Sequence, residues 1–178
     1  MKAQTLTKFP APWMLIASIA LLALTRLLPH PPNFSPVVAV ALFGGAAMAD
    51  RKLAFIVPLA AMFVADLFIG FHNTMVFVYL GMGLVVALGC VLANRRKPLV
   101  LVAAALAGSG VFFLISNTGM WWLSGSYEHS LDGLLMCFTA ALPFFHNTLL
   151  ATVLYSALLF GFEHGWKRLS LRDGVVAS

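Results

Sequence analysis

Ala65-Asp66-Leu67-Phe68-Ile69-Gly70-Phe71-His72-Asn73-Thr74, followed shortly by Tyr79, sets a carboxylate inside an apolar run, then a sharp polar turn, then a second apolar run carrying a phenol. A charge at hydrocarbon depth is costly, so by default it marks a binding site or a pathway, with a partner close by. That inference requires the flanking runs to lie in a membrane, and the composition supports it. The chain is 61% hydrophobic and 10% charged, where soluble domains carry about 25% charged residues. A helix needs about 20 apolar residues to cross the hydrocarbon. With short loops, the 178 residues therefore hold about six spans in one membrane domain. No room is left for a separate soluble enzyme domain.

Working outward from Asp66, the apolar runs predict spans over 53–70 and 74–93, then 99–116. On the N-terminal side they predict 13–28 and 36–49, separated by Pro29-His30-Pro31-Pro32-Asn33, where three prolines in four residues stop a helix. Asn33 or Ser35 is placed to cap the second span, with Pro36 in its first turn. The first run follows Lys2 and Lys8 but lacks a small-x-small cleavage site before Arg26, so it is expected to be a retained span. An outer loop over 117–146, with a short interfacial helix at 133–145, is expected before the last span at 147–162. The predicted fold is an all-α, six-transmembrane-helix bundle.

Under six spans, every Lys and Arg except Arg26 falls on one side: Lys2 and Lys8, Arg51 and Lys52, Arg95 to Lys97, then Lys167, Arg168 and Arg172. The positive-inside rule puts that side, with both termini, in the cytoplasm. The net charge of +5 is thus a topology signal. Nucleic acid binding calls for a basic patch, here with aromatic interleaving, which is absent. The expected setting is the bacterial cytoplasmic membrane, crossed several times.

Polar chemistry collects on the other side. His30, His72, His129 and His146 fall there, with Asn33, Asn73, Asn117, Asn147, Glu128 and Asp132. Arg26 lies about one turn below Pro29 and Asp66 about one turn below Gly70, so the two match in depth and invite an ion pair. The pair serves either a ligand site or mere helix packing, because intramembrane charges are usually paired whatever their task. Phe-His-Asn-Thr occurs at 71–74 and again at 145–148, each time where a helix is expected to begin. Such helix starts offer free N–H groups and a positive dipole end to a substrate. Plain capping explains Asn and Thr equally well, though not the histidines. Tyr79 with Met82, and Thr148, Thr152 and Tyr155, share helix faces that line a cavity or serve as interhelical glue, as do Ala41/Gly45 and Gly45/Ala49. Trp121, Trp122 and Tyr127 read as interfacial anchors, or as a lid over a flat ligand.

Cys90 and Cys137 form no zinc or disulfide framework. Cys137 is the candidate metal ligand, for a cobalt carried in by the substrate; a small apolar role is the alternative. Zinc-helix, nucleophile-elbow and phosphate-loop motifs are missing. The expectation is therefore a non-enzyme without a cofactor of its own, whose uphill transport would draw on a partner or an ion gradient.

The residues Thr25-Arg26, Pro31-Pro32-Asn33-Phe34, Asp66 to His72, Ser116-Asn117 with Trp121, Gly133-Leu134-Leu135 with Cys137, Pro143-Phe144-Phe145, Asn147-Thr148 and Phe160-Gly161 resemble an uncharacterised bacterial family of transport-type membrane proteins. The resemblance covers 25–161. That family in turn is similar to the S components of energy-coupling-factor vitamin transporters, nearest the solitary cobalamin-uptake type. The shared pattern runs from Thr25-Arg26 and His30 through Ala39-Val40, Gly44-Gly45 and Leu53-Ala54-Phe55 to Asp66. It implies an S-component-like bundle with a vitamin pocket under the outer loops, a corrinoid as first expectation, and energising subunits as partners. Two departures stand out. The cobalt-binding Cys expected soon after the acidic helix is missing from 74–83, and His146 stands where relatives carry Arg.

The leading expectation is vitamin binding and uptake by Arg26, His30, Asn33, Asp66, His72, Asn73, Tyr79, Asn117, Trp121, His146 and Asn147. An intramembrane enzyme using Asp66 and a histidine, and a non-catalytic assembly subunit, are the alternatives.

Overall fold

The computed structural model describes residues 25–48 and 50–172. Most of the expected first span lies outside the described residues; its end, 25–27, is a helical turn. Five helices follow: α1 Val37–Ala47, α2 Arg51–Ile69, α3 Met75–Leu92, α4 Pro98–Leu123 and α5 Leu131–Arg172. No strand occurs among the described residues.

Local chemistry sets these boundaries. Asp50 opens α2 by accepting from the Lys52 and Leu53 N–H groups at 2.8 and 3.4 Å, so it caps the helix that follows it rather than ending the one before. Gly70, at φ 104°, closes α2 while its N–H still reaches the Asp66 carbonyl at 2.9 Å. An L side chain rarely adopts that backbone, and Gly adopts it freely. Pro98 sits in the first turn of α4, where its missing N–H is harmless. Neither Asn33 nor Ser35 caps α1: Asn33 turns the chain at φ 60°, and no side-chain bond caps the helix at Pro36.

The expected outer loop over 117–146 is corrected to a much shorter connection at 124–130, because α4 and α5 both run on through its ends. Ser116, Asn117 and Thr118 read as polar punctuation, yet each donates back to a carbonyl of its own helix. The acceptors are Phe112 at 2.7 Å, Phe113 at 2.8 Å and Leu114 at 2.8 Å. Pro143 likewise sits inside α5 without ending it. In lipid every backbone group must be satisfied internally, and Pro is tolerated where neighbouring hydroxyls and helices make up its lost bond. His146 and Asn147 are therefore in mid-helix, and the second Phe-His-Asn-Thr starts nothing.

Among the described residues four helices are long and apolar enough to cross a membrane: α2, α3, α4, and α5 as far as Gly165. Their outward faces carry Phe68, Val91 and Leu99 at 73%, 74% and 81% exposure, while Asp66 is 1% exposed. Large apolar groups outside and a charge inside are what lipid demands. The chain is a multi-pass membrane protein. α1 is different: 11 residues reach about 16 Å, half of a hydrocarbon core of about 30 Å. It is embedded against α3 by backbone contact at Gly45 and Gly89. A methyl on Gly45 would collide with the Val86 carbonyl, and one on Gly89 with the Leu42 carbonyl. Small residues permit this approach, and dispersion then holds it. Val38, Leu42, Met82, Val85 and Val86 fill the core around the crossing.

The helices alternate in direction, which gives the molecule two unlike ends. At the basic end, Arg96 donates to Glu163 at 2.7 Å, to the Ala93 carbonyl at 3.0 Å and to the Ala46 carbonyl. Arg51 donates to the Gly45 carbonyl at 3.0 Å. Two arginines thus meet carbonyls orphaned at helix C-termini, where positive charge is favoured.

Candidate functional site

At the opposite end, three segments converge on Asp66. Arg26, from the turn at 25–27, donates through Nη1 to Oδ1 at 2.7 Å. Tyr79, on the first turns of α3, donates its hydroxyl to Oδ2 at 2.7 Å. The same Arg26 nitrogen also reaches the Met62 carbonyl at 3.4 Å, one turn before Asp66 on α2. The spacing works because Met62 and Asp66 stand one above the other on a helix face, and Gly70 then returns the chain into α3. The sequence-based pairing of Arg26 with Asp66 is present, and Tyr79 completes it. A buried carboxylate with both oxygens in charge-assisted hydrogen bonds is well stabilised, and removing one partner would leave an uncompensated group.

The two sides of this cluster differ in what they still offer. Each Asp66 oxygen already has one donor. Arg26 has capacity to spare: among the described residues no hydrogen bond reaches its Nε or Nη2. Its side chain is 19% exposed and roofs a void of about 10 Å³ lined by Val37 and Val40 of α1, Pro58, Ala61 and Met62 of α2, and Met82 of α3. That is room for one water at most. The lining was not legible as a site, since Val, Ala and Met in an apolar helix carry no signal of what they face.

The other predicted residues do not join this cluster. His30 is exposed and bonds the neighbouring Pro31 carbonyl at 3.0 Å, while His72 is exposed and bonds the Thr74 hydroxyl at 2.8 Å. Asn73 and His146 are also exposed. Asn147 donates to the Pro32 carbonyl at 2.9 Å and Thr148 to the Asn33 carbonyl at 3.4 Å, so α5 holds the proline-rich turn in place. Trp121 donates to the Glu128 carbonyl at 2.8 Å, and with Trp122 and His129 it packs the short 124–130 connection against itself. Cys137 is 2% exposed and its thiol faces the Asn117 carbonyl at 3.5 Å. A cobalt carried by a ligand would reach that sulfur only if α4 and α5 parted. No group of three or more His, Cys, Asp or Glu able to hold a metal occurs among the described residues.

No curated protein and no solved structure matches the chain. One family does, over residues 7–170, and it is described as a family of unknown function, DUF6580. Because that match spans nearly the whole sequence and takes in Arg26, Asp66 and Tyr79 together, the chain belongs to the DUF6580 family.

Proposed function

We propose that this protein binds a small, vitamin-like molecule at the non-basic end and takes it up across a bacterial cytoplasmic membrane. In this arrangement the N-terminal run supplies a sixth span, the basic end faces the cytoplasm with both termini, and energising subunits or an ion gradient drive uphill movement. The observation that carries the proposal is the convergence of Arg26, Asp66 and Tyr79, from three separate segments, beside a void at the end remote from the basic residues. Intramembrane charge maintained at that depth is characteristic of a substrate pathway. On this reading the present geometry corresponds to a closed form. Entry requires the turns at 28–36 and 70–74 to move outward, and release requires the opposite end to loosen.

A second reading is favoured by a specific observation. With both Asp66 oxygens bonded and room for a single water, the cluster also suits a packing lock in a subunit with no small-molecule ligand. Purification from rich medium separates the two. Uptake predicts a co-purifying small molecule in the absorbance and mass spectra of the wild type, depleted in Asp66→Asn and Asp66→Ala. A folded wild-type protein that carries nothing, or a folded variant that retains the same occupant, would establish the lock and sink the uptake proposal. An absorbing corrinoid in the wild type would identify the ligand directly.

A further inference from the structure

The sign of the ligand follows from which partner of the ion pair is left with unused bonding capacity. Resting on the binding proposal above, we infer that the site selects a small apolar molecule carrying an anionic, acceptor-only head such as a carboxylate. Asp66 accepts from Arg26 and from Tyr79, one donor to each oxygen, and it does not line the void, so a cationic group there would meet the guanidinium and not the carboxylate. Arg26 spends one nitrogen on Asp66 and Met62, and its remaining edge, Nε with Nη2, is the fork that fits a carboxylate bidentately. Everything else around the void is apolar: Val37, Val40, Pro58, Ala61, Met62 and Met82. A polyhydroxylated or cationic ligand would find no acceptor there and would lose its hydration without return. An apolar body with one anionic head meets both requirements.

Room for such a body comes from the lining itself. Met62 and Met82 are unbranched and re-pack easily, and Pro58 leaves α2 without one of its internal hydrogen bonds beside the void. Asp66 then acts as a positioning residue, holding the guanidinium beside the void that Arg26 lines, while Arg26 touches the ligand.

The test uses the full-length protein in lipid nanodiscs with three probes of one size: benzoate, benzyl alcohol and benzylamine. Thermal unfolding and direct calorimetric titration serve as readouts. Benzoate is expected to bind and raise the midpoint, with the alcohol and the amine at least about tenfold weaker. That is the loss expected when a charged hydrogen bond is removed. Arg26→Gln should remove the benzoate preference, and Arg26→Lys should retain part of it. Ala61→Val, a smaller change that takes up the void and alters neither member of the Arg26–Asp66 pair, should weaken binding of all three. Equal binding of amine and carboxylate, unchanged benzoate binding in a folded Ala61→Val, or absence of benzoate binding at millimolar concentration would each overturn the inference. Flux of the preferred probe into proteoliposomes is scored separately, so binding without transport would remove the uptake proposal and leave the ligand class standing.

Discussion

The two ends of the bundle each use an arginine to join helices, but in opposite surroundings. Arg26 meets a carboxylate whose side chain is 2% exposed, at an end where a phenol takes the second oxygen. Arg96 meets Glu163 with both side chains partly open, at 27% and 18% exposure, and applies its other donors to helix-terminal carbonyls. A buried pair is weak evidence for net stability, since desolvation offsets most of the attraction, yet losing one partner of it is severe. A partly solvated pair has less at stake either way. Arg96 therefore has an adequate structural explanation in the carbonyls that it satisfies. For Arg26 and Asp66 packing is a weaker explanation, because an apolar pair often holds such segments equally well. The difference assigns fastening to the basic end and leaves the other end as the place where function is expected.

The largest effect should come from Asp66→Ala, which strands Arg26 and costs about 3–5 kcal/mol of stability. The double variant Arg26→Ala with Asp66→Ala should recover much of that loss in the same unfolding measurement, because neither charge is then left alone. Failure to recover would mean that the pair is itself a net stabiliser and would weaken the contrast. Tyr79→Phe leaves one buried carboxylate oxygen without its donor and should cost about 1–3 kcal/mol. Arg96→Ala removes several partly solvated bonds and should cost about 1 kcal/mol. A loss from Arg96→Ala larger than that from Asp66→Ala would invert the comparison. Smallest of all, Glu163→Gln should change stability by less than about 1 kcal/mol, and the change should shrink further as salt rises through the Debye range.

Much of this was legible before any coordinates, for identifiable reasons. Composition alone implies lipid as the solvent. Counting turns from Pro29 and from Gly70 places Arg26 and Asp66 at one depth, and the 2.7 Å pair follows from that register. What misled was punctuation. Pro143 with Phe-His-Asn-Thr at 145–148 reads as a break and a new start, and so does Ser116-Asn117-Thr118. In a membrane helix the same residues satisfy carbonyls of their own helix or of a neighbouring turn, and the chain stays helical. The histidines misled for a related reason: grouping on one side of the membrane is a statement about topology, and His30, His72 and His146 are exposed there without converging. The Gly45–Gly89 contact needed both helices in place, since Gly45 shows a small-residue pattern and nothing in the sequence names its partner. Arg96 looked like one more topology marker, because its acceptors are backbone carbonyls that any sequence supplies.

The most direct measurement is an experimentally determined structure of the protein purified from rich medium and held in nanodiscs, at a resolution that defines the surroundings of the Arg26 guanidinium. The prediction is ordered non-protein density within hydrogen-bonding distance of Nε and Nη2, with Met62 and Met82 displaced to admit it. Finding instead that side chains of this same polypeptide close onto both nitrogens and fill the space between α1, α2 and α3 would contradict a ligand site there.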